Sequence, residues 1–253
     1  MSHDHFKGKT AVKHVAEAQA RAVIAAAEIH GTETPGSISS ATDAARSLTV
    51  LLLLLAGLLH YWQFPNDKVF LSLILASTGW LIWVAGRSGW LGWARLERLH
   101  RILEEERWEI EHNREQEREE LRALYEAKGF EGKLLDEVMH VLMADGDRLL
   151  KIMVEEELGL SLESDEHPLK QSLGAALGAL FTATTLLGAY LFWQSFGLYF
   201  ASFFTLTISS AISAYYQGNR LISTIVWNLA IAALAAASTY FLSLFFYDLG
   251  LVS

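Results

Sequence analysis

Cysteine is absent from all 253 residues, and proline occurs only three times. The first absence excludes disulfides, iron–sulfur clusters and thiolate metal sites. The second leaves room for long uninterrupted helices. Charge is also scarce: Asp, Glu, Lys and Arg make up 19% of the chain, against about 25% in a typical soluble domain. The basic residues form no block dense enough to neutralise a run of phosphates, which excludes nucleic acid as a partner. No Ser/His/Asp or Cys/His set has a catalytic spacing, so the chain reads as a non-enzyme without an organic cofactor. Charged residues throughout positions 1–46 argue against a cleavable signal peptide at the start.

What is present is apolar, and 52% of the residues are hydrophobic. The average hides a split. Residues 172–253 carry only two charges, Arg220 and Asp248, whereas residues 95–171 hold twelve basic and twenty-two acidic ones. An acidic, water-facing block is therefore set inside a lipid-facing protein.

Crossing a bilayer takes roughly 17–25 apolar residues in a helix. The run Val50–Leu55 anchors a first span, Ser47–Gln63, which is short and borrows from Ala44–Arg46. A second, Val69–Leu91, follows the turn Phe64–Asp67. Residues 172–217 have no charge, too long a stretch for one span and right for two, with a break near Trp193–Gly197. The last span is Leu221–Tyr247. The sequence thus predicts an all-α, polytopic membrane protein with five transmembrane helices.

The domains expected are an N-terminal cytoplasmic segment over 1–46, spans one and two over 47–94, a cytoplasmic acidic helical domain over 95–171, and spans three to five over 172–253. Within the first, Gly31–Ser40 reads as a turn-rich linker. Thr10–His30 reads either as a helix on the membrane surface or as a mobile arm. Lys and Arg collect on one side if the spans alternate, at Arg46, Arg87, Arg95, Lys170 and Arg220. The positive-inside bias makes that side the cytoplasm. The N-terminus and acidic domain then face the cytoplasm, and the C-terminus faces the opposite side.

No proline interrupts Val69–His112, so the second helix is expected to continue past the membrane, with Gly86, Gly89 and Gly92 as its weak points. Shorter helices should follow over Arg114–Lys128, Gly132–Ala144 and Asp147–Glu157, ended by breaks at Gly129, Gly146 and Gly159.

Most acids in this block have a basic neighbour three or four residues away, as Glu115 has Arg118 and Glu119 has Arg122. Four differ. Glu106 and Glu109 share a helix face without a basic residue at helical spacing. Glu117 and Glu120 share another, and only Glu117 can reach a base, Arg114. Like charges at this spacing cost a few tenths of a kcal/mol, so two such pairs suggest a cation site. Met153 and Glu157 lie on one face further on, beside Glu156. A thioether among carboxylates turns the preference from Ca²⁺ and Mg²⁺ toward softer transition metals. The alternative is a solvated acidic hairpin with Met153 as packing.

The stretch 114–160 resembles the cytoplasmic domain of the vacuolar iron transporter (VIT) family, as do His167-Pro168-Leu169 and Gly218 with Trp227 and Tyr240 further on. That family has five spans and a helical metal-binding domain between spans two and three. The resemblance implies ligation by glutamates spaced E-x2-E-x7-E-x2-E, which Glu106, Glu109, Glu117 and Glu120 match. It also implies a Met-Met pair and a later Glu; Met153 and Glu157 match, and Val154 replaces the second Met. A homodimer is implied too. The family's first span carries an Asp-Gly motif and its second a Met, and residues 47–63 and 68–94 contain neither.

The function expected is a transporter moving Fe²⁺ or Mn²⁺ out of the cytoplasm in exchange for protons, the divalent ion being cargo. The bilayer, divalent metal ions and a second copy are its expected partners. The alternatives are a membrane-anchored metal sensor or buffer, and a scaffold whose acidic hairpin binds a basic partner.

Overall fold

The computed structural model describes residues 36–156 and 167–249. Among them, every regular element is an α-helix: α1 (Gly36–Tyr61), α2 (Asn66–His112), α3 (Arg114–Ala127), α4 (Gly132–Leu142), α5 (Gly146–Glu156), α6 (Pro168–Tyr216) and α7 (Leu221–Asp248). Thr10–His30 and Gly159 lie outside the described residues. Four helices, α1, α2, α6 and α7, are long and apolar enough to cross a bilayer. The chain divides into two compact units, with the division inside α2 at Trp93–Ala94.

The first unit is an apolar bundle of α1, the first part of α2, α6 and α7. Leu48, Leu52, Leu73, Ala179, Leu186 and Leu198 form its core. Its first helix corrects the sequence reading. Helix α1 starts at Gly36, so residues 36–40 are not a linker, and Asp43 lies within the first apolar helix. The reason is packing. A Cβ on Gly174 would meet the carbonyl oxygen of Ser37, and one on Gly178 that of Ala41. Small residues at i and i+4 on both helices let the backbones touch, which hydropathy cannot register. Ser40 Oγ fastens the same seam by donating to the Gln171 carbonyl at 2.8 Å.

Expected spans three and four fall in one element, α6, giving four long helices in place of five. At Trp193 and Gln194 the backbone leaves the helical region, with Gln194 at φ 51°. A Cβ on Gly197 would strike the Ala189 carbonyl oxygen. Eight residues of straight helix would separate these positions by about 12 Å. The chain has therefore doubled back, and α6 is a hairpin with arms 168–192 and 195–216.

Helix α2 runs through Gly86, Gly89 and Gly92 without a break. Gly89 lies beside the Ser172 side chain and Gly92 against Pro168 and Gln171, while Ser172 Oγ donates to the Ala85 carbonyl at 2.9 Å. Two of the expected weak points are thus places where α6 approaches closely. Helix α1 ends with Gln63 at positive φ and the Phe64 amide donating to the Leu59 carbonyl at 3.0 Å. Helix α6 ends the same way, with Gly218 at φ 66° and the Asn219 amide on the Ala214 carbonyl. Both are left-handed caps that satisfy a terminal carbonyl.

The second unit is the acidic domain. It packs the end of α2 with α3, α4 and α5 around Ile110, Leu121, Leu135, Met139, Leu149 and Met153. Burying each of these leucines contributes about 1.5–3 kcal/mol, and the amphipathic patterning of α3, α4 and α5 supplies them at helical spacing.

Candidate metal centre

Helix α2 brings Glu106 into the acidic domain one turn before the core residue Ile110, and α3 brings Glu117 one turn before Leu121. Glu120 adjoins Leu121 directly. These placements bury charge. Glu117 and Glu120 are each 0% exposed and Glu106 is 7% exposed, while Glu109 is half-buried. Met153, on α5, is also 0% exposed and belongs to the same core. Ionised carboxylates are almost never fully buried unless something compensates them.

The Oε1 atoms of Glu106 and Glu120 and both oxygens of Glu117 are buried and accept no hydrogen bond. All four glutamates nonetheless interact with their surroundings. Among the described residues, no three His, Asp or Glu side chains are arranged to hold a metal ion. Glu157 lies outside the described residues, and so does the side chain of Glu156, at the end of α5.

The remaining charges build a frame around this interior. Arg114, expected within reach of Glu117, donates from Nη2 to the Met143 carbonyl at 2.6 Å. It closes the C-terminal end of α4 together with Arg148, whose Nη1 donates to the Val141 carbonyl at 3.1 Å. Cations suit that end of a helix dipole. Arg122, expected to pair with Glu119, reaches Asp136 at 2.9 Å and Glu126 at 3.3 Å. Hydrogen bonds to both acids raise its pKa above the usual arginine value. Arg118 pairs with Glu115 at 3.8 Å, as expected. Asp145 caps α5, accepting from the amides of Asp147 at 2.9 Å and Arg148 at 3.2 Å. Those two amides hold its carboxyl below the usual aspartate range. The Asp-Gly-Asp segment is thus a helix start.

One relevant residue escaped the sequence reading, and a second lies just upstream of the first span as the sequence draws it. Met139 is 1% exposed and shares the core with Met153; only its spacing four residues after Leu135 pointed inward. The other is Asp43, the one acid of α1, which reaches Arg87 of α2 at 3.9 Å. A cavity of about 420 Å³ between α1, α6 and α7 is lined by Leu53, His60, Tyr199 and Tyr240 among others, and by no carboxylate. It adds no anionic ligand.

A helical membrane protein with an acidic, carboxylate-filled domain is the class these features define. The sequence model of the VIT family matches residues 94–244. The chain belongs to the VIT family and is an integral, multi-pass membrane protein. A similar protein is the vacuolar iron transporter of Acanthamoeba castellanii (strain ATCC 30010 / Neff), 34% identical over 127 residues. That alignment takes in 47% of this chain and 47% of the relative, so it spans about half the length of each.

Proposed function

We propose that the protein moves a divalent transition metal ion, Fe²⁺ in the first place and Mn²⁺ in the second, out of the cytoplasm. The observation that carries this reading is the burial of Glu106, Glu117 and Glu120 in one small core with Met153. Interior carboxylates are costly for a domain that only folds, and oxygen donors with one thioether suit a borderline metal better than Ca²⁺. The arriving ion draws these side chains, with Glu109, Glu156 and Glu157, into its coordination sphere. Carboxylate ligation displaces protons, which makes proton exchange the natural driving step. Each arm of α6 counts as a span, giving five, and the Lys and Arg bias places the acidic domain in the cytoplasm. Two copies form the working unit.

Asp43 favours one competing reading. The only acid of α1 already faces a guanidinium, as suits a sensor or buffer that binds metal without passing it on.

The test is calorimetry with Mn²⁺, and with Fe²⁺ under anaerobic conditions, on the full chain, followed by flux into proteoliposomes. Changing Glu117 and Glu120 to Ala should weaken binding at least tenfold, about 1.4 kcal/mol, and stop flux. Binding without flux in the unaltered chain would leave the sensor. Unchanged binding in the double variant would remove the site.

A further inference from the structure

At the end of the apolar bundle where α1 begins, cations outnumber acids. Arg46, Arg87, Lys170 and Arg220 belong to that end, and among the described residues of the bundle Asp43 is the one acid there. Asp43 is shared. Arg87 of α2 reaches it at 3.9 Å. Arg46 follows three residues later on the same face of α1, and the Asp43 charge acts on it as well. One carboxylate thus answers two guanidiniums and leaves one positive charge over.

The helix registers give the depth of that charge. Gly36 and Gly92 both meet the Gln171 side chain, so α1 leaves from the level to which α2 returns. Helix α1 is about 38 Å long, close to the 40–45 Å of a bilayer with its headgroups. The shared level is therefore the outer edge of one headgroup layer, which is about 5–8 Å deep. Arg87 lies about 8 Å below that edge, Asp43 about 10 Å and Arg46 about 15 Å. Helical side chains lean toward the N-terminus of their own helix. Arg46 accordingly leans out toward the headgroups and Arg87 leans inward, and both converge on Asp43. A guanidinium at this depth is costly without a counter-charge.

The cluster is open on the side that faces lipid. The Arg87 and Asp43 side chains are 54% and 63% exposed. Trp83 and Trp90 stand four residues before Arg87 and three residues after it, which puts all three on one helix face, and the two indoles are 60% and 65% exposed. Tryptophan settles at the headgroup level of a bilayer, and a guanidinium grips a phosphate with two parallel hydrogen bonds.

We propose that Arg46 and Arg87, walled by Trp83 and Trp90, bind the phosphate of an anionic phospholipid in this leaflet. The lipid supplies the negative charge that the cluster lacks, and its acyl chains lie along the Trp83–Trp90 face. Asp43 sets the strength of the site by holding back part of the positive charge. No metal ligand of the acidic domain takes part.

The test is native mass spectrometry of the full chain in detergent, titrated with phosphatidylglycerol and with phosphatidylcholine. Phosphatidylglycerol should bind the more tightly, and equal binding would overturn the site. Arg87→Gln should weaken phosphatidylglycerol binding about fivefold, equivalent to the roughly 1 kcal/mol of a base beside an anionic headgroup. Asp43→Asn should strengthen it by a similar factor. Both substitutions break the same ion pair, so a merely structural role would weaken binding in both, and that result would overturn the proposal. Arg220→Gln, at the same surface, should change little; a loss equal to that of Arg87→Gln would reduce the effect to diffuse surface charge and overturn the site. Displacement of the lipid by inorganic phosphate would assign the cluster to a free anion and overturn the lipid.

Discussion

Arg87 of α2 reaches Asp43 of α1 at 3.9 Å, with the two side chains 54% and 63% exposed. In water a pair this open contributes about 0.2–1 kcal/mol. Next to lipid the same two charges depend on one another more, because neither is well solvated alone. Thermal melts of Asp43→Asn, Arg87→Gln and the double variant should show a coupling of about 0.5–1 kcal/mol, the double variant being more stable than the single losses add up to. Strict additivity would reduce the contact to a coincidence of two flexible side chains.

Glycines in α6 should differ sharply by position. At Gly178 a methyl group meets the α1 backbone, whereas at Gly188 it meets nothing within 4 Å. Gly178→Ala should cost about 1–3 kcal/mol through overpacking and shift the protein toward aggregates in detergent gel filtration. Gly188→Ala should be neutral or stabilising by up to about 1 kcal/mol, since alanine orders a helix at less entropic cost. Matching melting temperatures for the two variants would contradict the close α1–α6 approach.

Met153→Leu keeps volume and apolarity, so the acidic domain should fold with a loss under about 1.5 kcal/mol. If the thioether ligates, the variant loses preference for Zn²⁺ and Co²⁺ over Mg²⁺ by about tenfold or more, roughly 1.4 kcal/mol. Competition titrations measure this. An unaltered preference order would make Met153 packing alone.

Asp145 couples the start of α5 to pH. Its carboxyl is held below the free value of 3.8 by two backbone amides. The cap is therefore fully formed above that value and is lost as the pH falls below it through the lowered folded value. Hydrogen exchange at the amides of Asp147 and Arg148 should accelerate in Asp145→Ala and stay protected in Asp145→Asn, which keeps the acceptor but not the charge. Protection that survives Asp145→Ala would remove the cap from the account.

Much of this organisation was legible in the sequence. The run from Asn66 to His112 announces itself because no proline interrupts it, and the acidic helices begin and end within a few residues of where glycines and periodicity put them. The uncharged stretch 172–217 betrayed its reversal through length alone. Glu106 and Glu120 stood out for having no base at helical spacing and Glu117 for sharing a face with Glu120, and these three are glutamates that the fold encloses. The start of α1 was not legible. Ser37, Ser40 and Thr42 look like linker residues until Gly174 and Gly178 are packed against them, and with that start went Asp43. The burial of Thr182, Ser202 and Ser210 escaped for a related reason: serine and threonine are nearly neutral on a hydropathy scale, so they leave no trace in a running average. Met139 was hidden by its ordinary place among leucines.

The tight reversal at Trp193–Gln194 also bears on how the chain is put into its membrane. No charged residue lies between Lys170 and Arg220, so nothing along that length can instruct the insertion machinery about topology. With the arms folded on each other, both cations emerge at the same surface. The hairpin must then integrate as a unit, and a chain that failed to turn there would strand Arg220, and the helix it introduces, upside down.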